Sequence, residues 1–138
     1  MSNLNKAIQI ALDAHKDQVD KGGQPYILHP LRLMLQMPTE KLQIIAVLHD
    51  VLEDSKYTVS DLKNNGFSSN IIIALQALTK KTGEDYFDFI LRVNKNVLAR
   101  QVKKADICDN LNLKRIKNPS KKDLERVKKY KKALKFLK

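Results

Sequence analysis

The sequence is poor in the residues that staple, kink or punctuate a chain. Among 138 residues there is one cysteine, no tryptophan, four glycines and four prolines. A lone Cys108 forms no internal disulfide and leaves no thiolate cluster for a structural zinc ion. Amid helical apolar spacing it is expected to be a small buried hydrophobe. No apolar run approaches the ~18 residues that would span a bilayer. The start, MSNLNKAIQI, has no basic stretch followed by an apolar block, so no secretory signal is expected. Segments alternating apolar and polar residues, the mark of half-buried strands, are also missing. These absences point to a soluble, cytoplasmic, all-α protein without a membrane segment.

What is present suffices for a core. Hydrophobic residues make up 43% and charged residues 30% of the chain. A chain of this length buries roughly two-thirds of its unfolded surface, and nothing divides it, so residues 1–138 are expected to form one domain. The net charge of +11 is concentrated in residues 103–138, which hold 14 Lys and Arg against 4 Asp and Glu. A basic surface gathers anions such as nucleotides, nucleic acid or acidic lipid without choosing among them.

Apolar residues recur at three- and four-residue steps almost throughout, predicting seven or eight helices. Leu4, Ala7, Ile8, Ala11, Leu12 and His15 mark the first, capped by Ser2 or Asn3. Lys21-Gly22-Gly23-Gln24-Pro25 breaks it, and a second begins near His29-Pro30. The third opens at Pro38-Thr39-Glu40 and carries Leu42, Ile45, Ala46, Leu48, His49 and Leu52. Further helices start near Ser60, near Ser68 or Ser69, at Glu84 and at Asn96, the last running to Ile116. After Asn118-Pro119, Ser120 with Asp123 caps a basic helix over 120–138.

Three stretches concentrate chemistry. In IIAVLHDVLEDS a His49-Asp50 pair sits in an otherwise apolar helix, where unpaired charge is expensive to bury. Residues four apart share a helix face, so His49 is expected over Glu53 and Asp50 over Asp54. Adjacent residues point apart, so His49 and Asp50 would need separate partners. VKKADICDNLN offers Asp106, with Asp109 and Asn110 a turn on. QPYILHP offers His29 at a helix start. His29, His49, Asp50 and Asp106 together form a two-imidazole, two-carboxylate set that suits Mn²⁺, Fe²⁺ or Zn²⁺. Four protein ligands leave an octahedral ion two positions, and a bound water acidic enough for attack at phosphorus. His15, on the inner face of the first helix, reads as a core histidine.

The ordered set Ala14-His15, Gly23-Gln24-Pro25-Tyr26 with His29-Pro30, His49-Asp50 with Glu53-Asp54, Thr79-Lys80, and Lys103-Lys104-Ala105-Asp106 with Asn110 resembles the HD-domain phosphohydrolases. It is most similar to the hydrolase domain of the RelA/SpoT family and to the small alarmone hydrolases, over roughly residues 7–116. The resemblance implies an all-α HD-type bundle and a metal, most often Mn²⁺, held by His29, His49, Asp50 and Asp106. It implies that Glu53 and Asp54 position or activate the attacking water, and that Asn110 contacts substrate. The reaction it implies is removal of the 3′-pyrophosphate of guanosine tetra- or pentaphosphate. Lys21, in the loop, is expected to neutralise substrate phosphates.

The chain departs from the pattern at Asp20, where those hydrolases commonly carry arginine, and at Ile107 and Asp109. An acid at position 20 removes a guanidinium that could stack on a base. Two alternatives therefore stand beside the first reading. One is an HD-domain phosphatase acting on another nucleotide or phosphoester. The other is a non-catalytic basic helical module binding nucleic acid, the least expected of the three because the ligand set is complete.

Overall fold

The computed structural model describes residues 3–112 and 118–137. Its described residues form nine α-helices: α1 (Leu4–His15), α2 (Leu28–Gln36), α3 (Glu40–Leu48), α4 (Val51–Asp54), α5 (Val59–Asn64), α6 (Ser69–Ala77), α7 (Tyr86–Asn94), α8 (Val97–Asn110) and α9 (Lys121–Phe136). The extended pairing among them is an isolated antiparallel bridge between Val19 and Pro25. None of the helices is long and apolar enough to cross a membrane.

Side-chain caps fix most helix starts, because they satisfy backbone N–H groups that the first turn leaves without partners. Thr39 Oγ1 accepts from the Leu42 N–H at the head of α3. Asp85 does the same for Phe87 and Asp88 in α7, and Asn96 for Ala99 in α8. Thr58 with Asp61, and Ser120 with Asp123, close reciprocal capping boxes at α5 and α9. The expected start of α5 near Ser60 thus moves back to Val59, and that of α7 from Glu84 to Tyr86. The backbone turns out of α5 through Gly66 at φ +86°, a region that side chains strain to enter.

The core is organised about α3. Leu42 and every residue from Ile44 to Leu48 are buried, so the C-terminal half of this helix is enclosed on all sides. It packs against α1, α2, α6 and α8, while α9 lies across α7 and α8. The apolar residues it gathers form one continuous cluster, from Ala7 and Leu33 to Ile90 and Val102. Leu12 departs from its expected stripe: it is exposed, and Ile10 is buried with Ala7 and Ala11.

Two further expectations need correction. The helix expected from Pro38 through Leu52 is two helices, since α3 ends at Leu48 and α4 begins at Val51. His49 and Asp50 are the junction, and Asp50 is the residue before α4. Cys108 is exposed. Asp106 and Ile107 take the inward face of α8, and at ~100° per residue Cys108 has turned away from it. The end expected at Ile116 lies outside the described residues, as does Ser2; α8 ends at Asn110.

Candidate metal centre and adjoining pockets

Four helices bring the predicted ligands to one point. His29 stands in the first turn of α2, His49 and Asp50 at the α3–α4 junction, and Asp106 in the last turns of α8. His29, His49 and Asp106 are each at most 4% exposed. His29 Nε2 lies 2.8 Å from Asp106 Oδ1, and His49 Nε2 lies 3.4 Å from the same oxygen and 3.0 Å from Asp50 Oδ2. Ligand atoms of His29, His49 and Asp50 all fall within 4.8 Å of one another. The break between α3 and α4 makes this possible. On a continuous helix, His49 and Asp50 would diverge as expected; across the junction their side chains converge.

The outer hydrogen bonds decide what those nitrogens can do. His49 Nδ1 donates to the Ala46 carbonyl at 2.7 Å. His29 Nδ1 donates to Asp109 Oδ2 at 2.6 Å. With Nδ1 donating, a neutral ring turns an Nε2 lone pair toward carboxylate oxygens, which are acceptors only; His29 Nε2 therefore makes its 2.8 Å bond to Asp106 Oδ1 only as the imidazolium, donating from both nitrogens. His49 Nε2 is buried and, for all its closeness to two carboxylates, makes no hydrogen bond among the described residues. A positive charge at the common centre removes that conflict. Protons supply it in part: burial opposes the charged form of His49, but Asp50 and then Asp106 overcome this and hold its pKa well above the ordinary value. Burial likewise opposes His29, and its bonds to Asp106 and Asp109 raise it. A divalent cation would supply the charge without protonating either ring, and two imidazoles with carboxylates are a donor set that fits one.

Further side chains hold the donors in place. Tyr26 O–H donates to Asp50 Oδ2. Lys103 Nζ donates to Asp106 Oδ2 at 2.9 Å, and Asn110 Nδ2 to Asp106 Oδ1 at 3.0 Å. Burial alone would raise the Asp106 carboxyl, but the Lys103 ammonium and the two imidazoles pull it well below the usual range. Arg32 grips Asp109 through two bonds of 2.9 Å, which orient the carboxylate that orients His29. The reading of the sequence assigned Tyr26, Lys103 and Arg32 no part here, and Asp109 only that of a departure from the pattern. Tyr26 and Lys103 lay inside quoted motifs, and Arg32 lies one turn from His29; their roles appear only once α2 and α8 are adjacent.

Glu53 and Asp54 come together with Asp50, their carboxylate oxygens within 4.8 Å of one another. Glu53 Oε1 also accepts the Lys80 backbone N–H at 2.9 Å, which ties α4 to the chain leaving α6. Partial burial, then the charges of Asp50 and Glu53, push the Asp54 carboxyl up to about 6. A pocket of about 300 Å³ opens over this acidic face, with Lys80, Lys103, Asp106 and Asn110 in its walls. A second, of about 350 Å³, is lined by Asp20, Lys21, Tyr26, Asn110, Arg126 and Tyr130 among others. Tyr26, Asn110 and Tyr130 line both, so the two pockets adjoin. Lys21 lies on the wall of the larger of these two pockets, and Asn110 lines both and fixes Asp106. The basic helix α9 contributes Arg126 and Tyr130 to this wall. His15 is buried, as expected, with Nδ1 bonded to Gln18 Oε1 at 2.9 Å and its ring 4.9 Å from that of Tyr26.

Comparison with known proteins gives the fold a counterpart. The structure superposes on a solved metazoan ortholog of SpoT, a protein that hydrolyses ppGpp and plays a role in starvation responses. The TM-score is 0.80, over 99% of this chain and 84% of that one, at 21% identity. The fold is that of the SpoT ortholog. Sequence comparison points the same way. A stretch of 120 residues, 78% of the chain, is 28% identical to the guanosine-3′,5′-bis(diphosphate) 3′-pyrophosphohydrolase of Aquifex aeolicus. A stretch covering 86% of the chain is 29% identical to the Vibrio cholerae protein of the same name. Over 67 residues, 46% of the chain, identity to the Escherichia coli bifunctional (p)ppGpp synthase/hydrolase SpoT is 36%. The chain spans less than a fifth of the length of these curated relatives, 17% of the Aquifex protein and 19% of the Vibrio protein. No family model matches it. The structural similarity thus extends over 99% of the chain and the sequence similarity over most of it.

Proposed function

We propose that the chain is a metal-dependent phosphohydrolase domain that removes the 3′-pyrophosphate of guanosine tetra- or pentaphosphate. The observation that carries the reading is the convergence of two imidazole Nε2 atoms and two carboxylates whose mutual repulsion calls for a cation. Similarity to relatives named for this reaction supports the choice of substrate. His29, His49, Asp50 and Asp106 would hold the ion; the mixed nitrogen and oxygen donor set without thiolate suits Mn²⁺, Fe²⁺ or Zn²⁺, and Mn²⁺ is the ion the family resemblance implies. A divalent ion bound there supplies positive charge to a phosphate oxygen and acidifies water.

The chain's own residues do the rest. Asp54, with a carboxyl pushed up to about 6, can accept a proton from attacking water near neutral pH, where a base is most effective. Glu53, held by the Lys80 N–H, orients that water beside it. Lys80 and Lys103 in the acidic pocket's walls, and Lys21 and Arg126 in the adjoining one, offset substrate charge. Asn110, bonded to Asp106, joins the substrate wall to the donor set. Ordered cationic side chains facing developing charge are worth more in a part-buried cleft than in water.

The test is direct. Purified protein is given Mn²⁺ and guanosine 3′,5′-bis(diphosphate), and released pyrophosphate is measured alongside a panel of phosphomonoesters. Pyrophosphate release that chelation abolishes and Mn²⁺ restores is expected. No release with Mn²⁺, Fe²⁺, Zn²⁺ or Mg²⁺ would refute the proposal.

A further inference from the structure

The wall of the larger pocket carries a carboxylate where a polyanionic substrate would be better met by a cation. Asp20 lies in the loop between α1 and α2, beside Lys21 and across a pocket that Arg126 and Tyr130 also line. The loop is a closed hairpin. Val19 bridges Pro25, the Asp20 N–H donates to the Gln24 carbonyl at 2.8 Å, and the Tyr26 N–H donates to the Gln18 carbonyl at 2.9 Å. Gly23, at φ +83°, makes the reversal. Asp20 Oδ1 accepts from the N–H groups of Gly22 and Gln24, at 2.8 and 3.0 Å. These bonds fix the carboxylate on the loop. Oδ2 makes no hydrogen bond among the described residues, and its two lone pairs remain for a ligand.

From this geometry we infer that Asp20 is a specificity-determining residue that selects guanine by accepting hydrogen bonds from its N1–H and 2-amino groups. Guanine shows adjacent donors on that edge. Adenine offers an N1 acceptor beside its amino group and would set a lone pair against the carboxylate, and hypoxanthine keeps only the N1–H. The pocket's position suits the assignment: it shares Tyr26, Asn110 and Tyr130 with the acidic pocket over Asp50 and Asp54, so a nucleoside in one would have its 3′ group beside the other. The inference rests on the proposed hydrolysis and names its base selectivity.

The experiment compares kcat/KM for the 3′,5′-bis(diphosphates) of guanosine, inosine and xanthosine with Mn²⁺ in the wild type and in Asp20→Asn. Asparagine keeps an oxygen for the Gly22 and Gln24 N–H groups but turns the free oxygen into a donor. The wild type should prefer guanosine to inosine by roughly tenfold or more, since a lost hydrogen bond to a dedicated acceptor discriminates strongly. In Asp20→Asn that ratio should fall to within about threefold, and xanthosine, whose 2-oxo group accepts from the new amide, should gain on guanosine by roughly tenfold. An unchanged set of ratios, with all three rates lowered alike, would make Asp20 a loop staple only and overturn the inference while leaving the hydrolase reading intact. If the variant does not fold, the wild-type series decides, because discrimination against inosine below about threefold overturns it. Absence of hydrolysis of every base by the wild type would sink both.

Discussion

Replacing Asp54 by asparagine should make the metal-free protein more stable and the enzyme nearly inactive. The Asp54 carboxyl titrates at about 6 in the folded protein against 3.8 for the free group, raised by partial burial and then by Asp50 and Glu53. The folded state therefore binds this proton more tightly than the unfolded chain, and stability falls as pH rises from about 4 to about 6 and stays low above. A shift of about two units is worth about 3 kcal/mol in a dry site. Asp54 is exposed, so solvent screening reduces this to about 1 kcal/mol. Asparagine matches the protonated acid in shape and carries no charge. Wild type and Asp54→Asn should thus melt together near pH 4 in EDTA, and the variant should melt higher at pH 8, by about 3 °C for a chain of this size.

Saturating Mn²⁺ should shrink or reverse the gap, because the cation turns a repelled carboxylate into a favourable one. Pyrophosphate release should fall by roughly 10²- to 10⁴-fold if Asp54 is the base. A variant no more stable than wild type at pH 8 in EDTA would refute the electrostatic account of α4. Full activity in Asp54→Asn would remove Asp54 from the chemistry.

Other substitutions probe separate parts of the site. His49→Ala and Asp106→Ala should each abolish Mn²⁺ uptake measured by calorimetry, together with hydrolysis, because each removes a donor from the common centre. Asp109→Asn leaves every proposed ligand in place but weakens the bond that fixes the His29 tautomer; Mn²⁺ affinity should drop by roughly 10- to 100-fold, the usual cost of losing an outer partner, and kcat at saturating metal should recover. Arg126→Ala, on the pocket wall, should raise KM for the bis(diphosphate) by roughly tenfold with little change in Tm, and the wild-type KM should rise with added salt as screening weakens its cationic wall. A KM independent of both the residue and the salt would remove α9 from substrate binding.

Helix number and order were largely legible because the spacing signal is strong over segments of about three turns such as Leu4–His15 and because Thr39, Asn96 and Ser120 announce starts by their chemistry. The candidate ligands stood out for a different reason: a histidine and an aspartate in an apolar run are costly unless something compensates them. The break between His49 and Asp50 carried no such signal. No glycine or proline interrupts IIAVLHDVLEDS, and local propensity favours one continuous helix. What stops α3 is tertiary: both side chains are drawn toward Asp106 and Tyr26 on other elements. Cys108 was misplaced because its apolar character was weighed without the phase of α8, which Asp106 and Ile107 set by facing inward.

The departure at Asp109 illustrates how a mismatch with a pattern can be structural rather than disabling. An extra acid beside a set of acidic ligands reads as a penalty if the sequence alone is considered. In the fold it is shared between Arg32 and His29, at 2.9 and 2.6 Å, so its charge is neutralised on the side away from the centre while its oxygen locks the imidazole. Burial would raise its carboxyl, yet the bonds to His29 and Arg32 hold it below the usual range. Lys103 does the corresponding work on Asp106 from the other side. Each buried candidate ligand thus has its charge or tautomer set by a partner on the outside, while at the centre His49 Nε2 is left without a hydrogen bond among the described residues. Repulsion concentrated at a single point, with the outer partners of His29, His49 and Asp106 all in place, is the electrostatic condition for a site that would take a cation and turn its field on a phosphate.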